Sequence, residues 1–396
     1  MEEWIRCKIG DVCNTISDTY RGNADKVVLV NTSDVLNGKC LNHLKSANKD
    51  LKGQFKKTFQ IDDILYSEIR PANKRFAYID FDGTDYIAST KLMVIRHNEN
   101  ILPQYLYYII TSQAVIEELQ MLAESRSGTF PQITFSELAI LPIELPPLSE
   151  QIKIVRLLKS LDDKIEVNRR INDNLEQQAQ ALFKSWFVDF EPFRNQPFIE
   201  TELGMIPERW RYGTLSEVAH ITMGVSPSGT SYNVSGEGDV FYQGRAEFGY
   251  RFPHRNMFTT EPKRFAEEGD VLLSVRAPVG DVNVANERCC VGRGLAAISS
   301  KYHPSFILYL LKSLKSVFDQ YNGEGTVFGC ISKNTLEGLR VIIPEKRVIE
   351  RFEIIACTFD GQIRCRDEES RRLASLRDTL LPRLMSGEIK VEDVTL

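Results

Sequence analysis

The sequence predicts an α+β protein: two similar mixed α/β globular domains separated by two long coiled-coil helices, with an internal pseudo-two-fold repeat. Three observations predict this. The chain repeats itself, strand-like runs precede helical ones in each half, and a heptad-like stretch of about 40 residues closes each half. The repeat is read directly. Trp4-Ile5-Arg6-Cys7-Lys8-Ile9-Gly10-Asp11-Val12 matches Trp210-Arg211-Tyr212-Gly213-Thr214-Leu215-Ser216-Glu217-Val218. Asp63-Ile64-Leu65-Tyr66-Ser67 matches Asp270-Val271-Leu272-Leu273-Ser274. Leu138, Leu141, Ile143, Leu145 and Pro146 match Leu336, Leu339, Val341, Ile343 and Pro344. Ile165, Leu175 and Leu182 match Ile363, Leu373 and Leu380 at the same offset. Each half is far longer than a solenoid repeat of roughly 20–50 residues, so this is a duplicated module.

Residues 1–147 form the first domain. Val27-Val28-Leu29-Val30, Phe76-Ala77-Tyr78-Ile79 and Leu92-Met93-Val94-Ile95 are β-branched and aromatic runs between Gly- and Asn/Asp-rich breaks, as strands are. Pro103 opens a helix through Ile110, and Pro304 opens its counterpart through Leu311. Residues 148–190 form the first long helix, with Ser149 as N-cap. Leu158, Leu161, Ile165, Leu175, Ala179, Leu182 and Trp186 form its seam on a three-four alternation. Residues 191–209 are a linker containing Pro192 and Pro197, and residues 210–345 are the second domain. Residues 346–387 form the second long helix, with a seam of Ala356, Phe359, Ile363, Leu373, Leu380 and Leu384. Gly361 weakens it, Pro382 is expected to kink or end it, and Gly387 fits a C-cap. Each rod would be about 60 Å long. Both seams turn polar midway, at Asn168 and Asn172 and at Arg366 and Ser370, which favours register and partner choice over stability. An antiparallel pair is expected.

Composition narrows the function. The chain has 396 residues, is 42% apolar and carries a net charge of −5. No run of 18 apolar residues suggests a membrane span, and the acidic start Met1-Glu2-Glu3 lacks the apolar core of a signal peptide. The expected location is cytoplasmic, with no membrane partner. The eight cysteines form no Cys-x-x-Cys pair and read as reduced, mostly apolar thiols, so no metal is expected. A net negative charge argues against a generic nucleic-acid binder, so any DNA affinity must come from local patches or from a partner.

Catalytic motifs are missing. There is no Gly-rich loop with an Asn/Asp-Pro-Pro-aromatic sequence, because Leu145-Pro146-Pro147-Leu148 lacks both polar and aromatic members. There is no phosphate-binding loop, and Gly323-Glu324-Gly325 meets Phe328 where a dinucleotide loop needs its third glycine. Asp63 and Glu68 near Lys74 echo a nuclease metal site, but the duplicate has Val275 in place of Glu68. The missing motifs leave a stand-alone DNA enzyme as a disfavoured rival reading.

Cations and rings cluster in loops instead. Tyr242-Gln243-Gly244-Arg245-Ala246-Glu247-Phe248-Gly249-Tyr250-Arg251-Phe252-Pro253-His254-Arg255 interleaves both. The first domain offers Lys45, Lys49, Lys52, Lys56 and Lys57, the last two aligned with Lys263 and Arg264. Arg70-Pro71 and Arg276-Ala277-Pro278 follow the repeated strand, and residues 125–133 pair with 323–331. Lysines position a protein on phosphates, whereas Arg and Gln read base edges. The DNA-binding candidates are Lys56, Lys57, Arg70, Lys74, Arg75, Arg126, Gln132, Gln243, Arg245, Arg251, Arg255, Arg276 and Arg293. A rival reading is a coiled-coil scaffold whose globular ends bind proteins.

The chain resembles, over essentially its whole length, the specificity (S) subunit of a Type I restriction-modification system. The carriers are Leu145-Pro146-Pro147-Leu148-Ser149-Glu150-Gln151-Ile152, Leu161-Asp162-Asp163-Lys164-Ile165, Leu182-Phe183-Lys184-Ser185-Trp186-Phe187, Leu203-Gly204-Met205-Ile206-Pro207-Glu208-Arg209-Trp210 and Leu380-Leu381-Pro382-Arg383-Leu384-Met385-Ser386-Gly387-Glu388-Ile389. At the second helix entry, Ile343-Pro344-Glu345-Lys346 lacks the second Pro and the Glu-Gln pair, which weakens the expected partner contact there. The resemblance implies a DNA-reading adaptor in a defence system, no enzyme itself and binding no cofactor of its own. Each globular unit would be a target recognition domain reading one half of a bipartite, asymmetric site in double-stranded DNA. The helices would set the unread gap and dock two modification (methyltransferase) subunits, and restriction (translocase/nuclease) subunits would join through those. S-adenosylmethionine, ATP and Mg would sit on the partner subunits.

Overall fold

A computed structural model of the chain describes residues 4–48, 53–126, 130–323 and 329–394. It divides into two compact units, Met1–Val167 with Glu369–Leu396, and Asn168–Glu368. The division cuts both long helices in mid-length, within their polar stretch, rather than separating helices from globular parts.

The two units share a topology. In the first, Ile5–Lys8 pairs antiparallel with Pro142–Leu145. One antiparallel sheet runs Cys13–Ile16, Leu92–His97, Ile64–Ser67, Phe76–Tyr78. A second runs Lys45–Ala47, Lys26–Val30, Tyr86–Ser89, Phe55–Lys57, with Lys26–Val30 parallel to Tyr86–Ser89. In the second unit, Arg211–Thr214 pairs with Arg340–Ile343. Its sheets run His220–Met223, Leu295–Ser299, Val271–Ser274, Val282–Val284, and Phe258–Thr259, Asp239–Tyr242, Cys289–Val291, Phe265–Ala266, with Tyr232–Asn233 added at one edge. The parallel pair recurs between Asp239–Tyr242 and Cys289–Val291.

The central strands carry unbroken apolar runs, Ile64 to Tyr66, Leu92 to Ile95 and Val271 to Leu273, because both of their faces are covered there. Leu65 enters the core between the sheets with Val28, Ala88 and Val94, while Ile64 and Tyr66 face the helices with Met93, Ile95 and Tyr105. Leu272 and Leu273 divide in the same way in the second unit. The predicted helices are found at Pro103–Ile110 and Pro304–Ser313, each started by its proline.

The long helices run Leu148–Phe187 and Lys346–Met385. The first begins ahead of Ser149: Glu150 N and Gln151 N donate to Pro147 O at 2.9 and 3.0 Å, so Pro147 holds the N-cap position and Ser149 lies inside the first turn. Pro382 neither ends nor kinks off a separate helix. It lies within the last turn, where its missing N–H removes one hydrogen bond near an end that frays anyway. Gly387, at φ +71°, is the C-cap, with Ile389 N donating to Arg383 O at 3.2 Å.

Within each unit the helix segments pair antiparallel. In the first, Leu158 and Leu161 share a cluster with Leu373, Leu380 and Leu384, and Arg377 donates to Asp162 at 2.5 Å. In the second, Leu175 packs with Phe359 and Ile363, and Phe183 meets Phe352 at 5.6 Å between ring centroids. Asn172 Nδ2 donates to Ile363 O at 3.2 Å. Asn168 and Asn172 are buried, Ile165 and Arg366 half-buried.

The same tie fastens each globular part to the helix that follows it. Tyr108 donates to Asp162 at 2.7 Å, and Tyr309 donates to Asp360 at 2.7 Å. Burial raises the pKa of both phenols and the neighbouring carboxylates raise it further, so both remain protonated donors. Gln151, fully buried, accepts from Leu102 N at 2.9 Å and donates to Pro146 O at 2.9 Å. In the second copy, Glu353 accepts from Ser305 N and Phe306 N at 3.0 and 2.9 Å. Gln151 itself is enclosed, so its absence at the second entry changes an internal fastening. Trp4 lies against Gly387 just past the end of the second helix, where a Cβ on that glycine would come within 3.3 Å of the indole, and Trp210 packs on Phe187, Phe190 and Phe193 at the end of the first. All eight cysteines are free thiols, and burial pushes Cys13 and Cys289 up to about 12. No helix among the described residues is long and apolar enough to cross a membrane.

Candidate functional site

The repeated Asp-x-Leu-x-Ser strand builds a loop. Asp63 is fully buried, and its two oxygens accept from Arg96 Nε and Nη2 at 2.7 Å each. Asp63 also accepts from Gln60 N, and Asp270 accepts from Glu267 N, both at 2.8 Å, closing the same turn. The nuclease echo fails here, because the carboxylate is fully engaged inside the sheet. Among the described residues no group of His, Cys, Asp or Glu could hold a metal ion. At the other end of the motif, Ser67 Oγ accepts from Ile69 N at 3.1 Å, and Ser274 Oγ donates to Pro278 O at 2.8 Å. Each serine shapes the loop that carries the candidate arginines.

Three loops meet at that point in both units, through the same main-chain bonds. In the first unit Glu68 N donates to Lys91 O at 3.0 Å, and Ile133 N to Glu68 O at 2.9 Å. In the second, Val275 N donates to Gly294 O at 2.9 Å, and Ile331 N to Val275 O at 3.0 Å. The bridges Ile69↔Gln132 and Arg276↔Cys330 coincide. Arg276 therefore stands opposite Ile69, one place away from the Arg70 with which the sequence paired it. Hydrogen bonding also shifts the expected Lys56/Lys57 match. Thr90 N donates to Gln54 O and Val291 N to Arg264 O, so Arg264 corresponds to Gln54 and Lys56 lies further along the strand.

A fourth loop follows the parallel strand. In the second unit it is Gln243-Gly244-Arg245, pressed against Gly292 and Gly294. A Cβ on Gly292 would lie 2.8 Å from Gln243 Cα, and one on Gly294 would lie 2.7 Å from Gln243 O, so only glycine fits. Gln243 and Arg245 are exposed. Arg245 pairs with Asp281, which also accepts from Lys315 at 3.2 Å, beside an open cleft of about 450 Å³ lined by Arg245, Phe248, Gly249, Asp281 and Asn283. The first unit's counterpart is Asn31 with Thr32–Asp34, closed by Asp34 accepting from Asn31 N at 2.8 Å as Glu247 accepts from Gly244 N at 3.0 Å. It is not the lysine-rich stretch expected from the sequence, of which Lys49 and Lys52 lie outside the described residues. Residues 127–129 and 324–328 of the matched late loops also lie outside them.

The candidates separate by environment. Lys56, Arg70, Lys74, Arg276 and Arg293 are exposed, with Arg70 and Lys74 in left-handed backbone at φ +45° and +52°. Arg126 is exposed and pairs with Glu137, and Arg255 pairs with Glu287 at 2.9 Å. Lys57 donates to Leu92 O at 2.8 Å, and burial lowers its pKa. Arg75 donates to Ser33 O at 3.0 Å, bracing the first unit's parallel-strand loop. Gln132 accepts from Lys91 at 3.2 Å.

Arg251 is a correction. It is 3% exposed, and its guanidinium bonds Glu176 on the first long helix and Asp360 on the second. Tyr309 and Lys312 complete the cluster. Burial works against ionisation of both partners. The facing carboxylates nevertheless raise the Arg251 pKa, and Arg251 and Lys312 hold Glu176 below the usual carboxylate range. The periodicity of a loop read alone could not reveal this enclosure. Arg251 is a fastener for its domain and is closed to DNA.

The family model described as Type I restriction modification DNA specificity domain matches residues 1–177 and 207–355. The Type I restriction enzyme HindI specificity subunit of Haemophilus influenzae is 32% identical, over 98% of this chain and 100% of the relative. A putative Type I restriction enzyme MjaX specificity subunit of Methanocaldococcus jannaschii is 33% identical, over 84% and 79%. The crystal structure of a Type I restriction-modification S subunit from M. genitalium covers 96% of each chain at 17% identity, with a TM-score of 0.52, and shows the likeness of fold.

Proposed function

The chain belongs to the Type I restriction-modification DNA specificity family, and from that premise we propose that it reads a bipartite, asymmetric DNA site, one half per globular unit. The observation that carries this reading is the constant main-chain frame of the loops in both units, holding different side chains in each. One frame with two sets of exposed polar groups suits two different half-sequences. The paired helices set the unread gap and dock two adenine-methylating modification subunits, with restriction subunits joining through those. Exposed apolar residues on the helices, among them Ile152 and Ile354, offer contact area. S-adenosylmethionine, ATP and Mg belong to those partners, and this chain contributes recognition without catalysis. The acidic balance fits a complex in which the partners supply most of the phosphate neutralisation. Such a complex works in the cytoplasm.

The test is base-resolution methylation sequencing of host DNA with and without the gene. Loss of adenine methylation at a split motif with a fixed gap is expected. Sequence-independent binding by the reconstituted complex would overturn the reading.

A further inference from the structure

Lys91 and Glu68 were not among the residues that sequence singled out for DNA contact, yet they meet where the loops converge. Lys91 Nζ lies 3.4 Å from Glu68 Oε2 and 3.2 Å from Gln132 Oε1. Lys91 is exposed, and the Glu68 side chain keeps 21% of its surface open. The corresponding positions of the second unit are Val275, Gly294 and Cys330, held by the same two hydrogen bonds and the same bridge. The frame therefore does not need the polar side chains, since the second unit builds it without them. An ion pair this open also adds little stability. What remains is recognition.

Resting on the bipartite reading above, we propose that the Glu68–Lys91 pair is a specificity determinant that selects a C·G base pair in the half-site of the first unit. In the major groove this pair presents a donor, cytosine N4–H, beside an acceptor, guanine O6. Glu68 supplies an acceptor and Lys91 a donor, side by side at 3.4 Å. The array complements C·G. A T·A pair presents acceptor and donor in the opposite sense and would set the thymine oxygen against a carboxylate, while an A·T pair keeps the sense but offers the ammonium a single acceptor, thymine O4, beside a methyl group where guanine offers both O6 and N7. Gln132 holds the ammonium in place and acts as a positioning residue. The second unit, with Val275 and Gly294 at these positions, reads through Gln243 and Arg245 instead.

The experiment uses the full chain assembled with its modification subunits, methylating a randomised split-site library. Arg245→Ala first identifies the half-site of the second unit, and the half it leaves alone belongs to the first. That half should contain a C·G pair in the wild-type motif. Glu68→Gln and Lys91→Met should each reduce the preference at that one position by about 10-fold or more and leave the other half unchanged. Lys91→Arg, which keeps a donor for guanine, should retain the preference. A wild-type first half without C·G overturns the proposal whether or not the variants fold. So does an unaltered motif in both variants. A wild-type complex with no split motif would instead overturn the bipartite reading.

Discussion

At the scale of single residues, chemical type proved a poor guide to role until burial was known. Arg245 and Arg251 sit six positions apart in one loop rich in rings and cations, and nothing in that stretch separates them. The first is exposed and paired to Asp281, while the second is enclosed by two helices. Arg251→Ala should leave the Glu176 and Asp360 carboxylates without their buried partner and lower the stability of the second unit by about 3–5 kcal/mol. Denaturant unfolding followed by tryptophan fluorescence checks this, and a loss below about 1 kcal/mol would count against the cluster as a fastener. The same cluster sets a pH dependence. Burial opposes the charge on Glu176, but Arg251 and Lys312 prevail and hold its pKa below the ordinary 4.5. Its contribution is therefore complete above pH 4.5 and is lost as the pH falls through the folded-state value. Stability measured from pH 6 down to pH 3 should fall less steeply in Glu176→Gln than in wild type. Equal slopes would sink the assignment.

At the scale of elements, the strands and helices were legible because their periods are carried by many residues at once. Ile64–Ser67 and Val271–Ser274 read as strands from their apolar runs, and Leu158, Leu161, Leu175, Ala179, Ala356, Ile363, Leu380 and Leu384 of the expected seams are buried, whereas near the end of the first helix Phe183 and Phe187 are buried and the expected Leu182 and Trp186 are only half-buried. The ends were less legible. Ser149 has the side chain of a good cap, but the helix starts one residue earlier and Pro147, with no side-chain acceptor, stands at the N-cap position. Pro382 looked like a stop, but a proline so near a helix end disrupts little. Gly361 is the true soft point: a Cβ placed there meets nothing within 4 Å. Gly361→Ala should therefore stabilise the helix by about 1 kcal/mol, seen as a higher denaturant midpoint. A lower midpoint would mean that the glycine is needed for close approach.

At the scale of the molecule, the duplication was visible in the sequence, but the correspondence between loops was not. Loop positions carry no periodicity, so Arg70 was set against Arg276 and the lysine-rich stretch against Gln243–Arg255. A matching β-bridge puts Ile69 at the place of Arg276, and a matching carboxylate-closed turn puts Asn31 in the second loop's counterpart. The sequence offers Glu68 only as part of a nuclease echo and does not single out Lys91, because nothing in it brings residues 23 positions apart together. The helices make a prediction at this scale. Deleting residues 165–171 and 364–370 together removes one heptad from each helix, shortening each by about 10 Å, or about three base pairs at 3.4 Å per step. The methylated motif should keep both half-sequences while its gap shrinks by about that amount. An unchanged gap would show that the helices are not the ruler.

The bonds that hold the loops together run from backbone to backbone, Glu68 N to Lys91 O in one unit and Val275 N to Gly294 O in the other. Every residue except proline carries these groups, whatever its side chain. The positions that face outward can therefore change without disturbing the main-chain contacts that hold the loops. In evolutionary terms, the molecule is free to drift in what it recognises while selection on its stability stays silent. Its relatives can then diversify their targets one exposed residue at a time, without passing through unfolded intermediates.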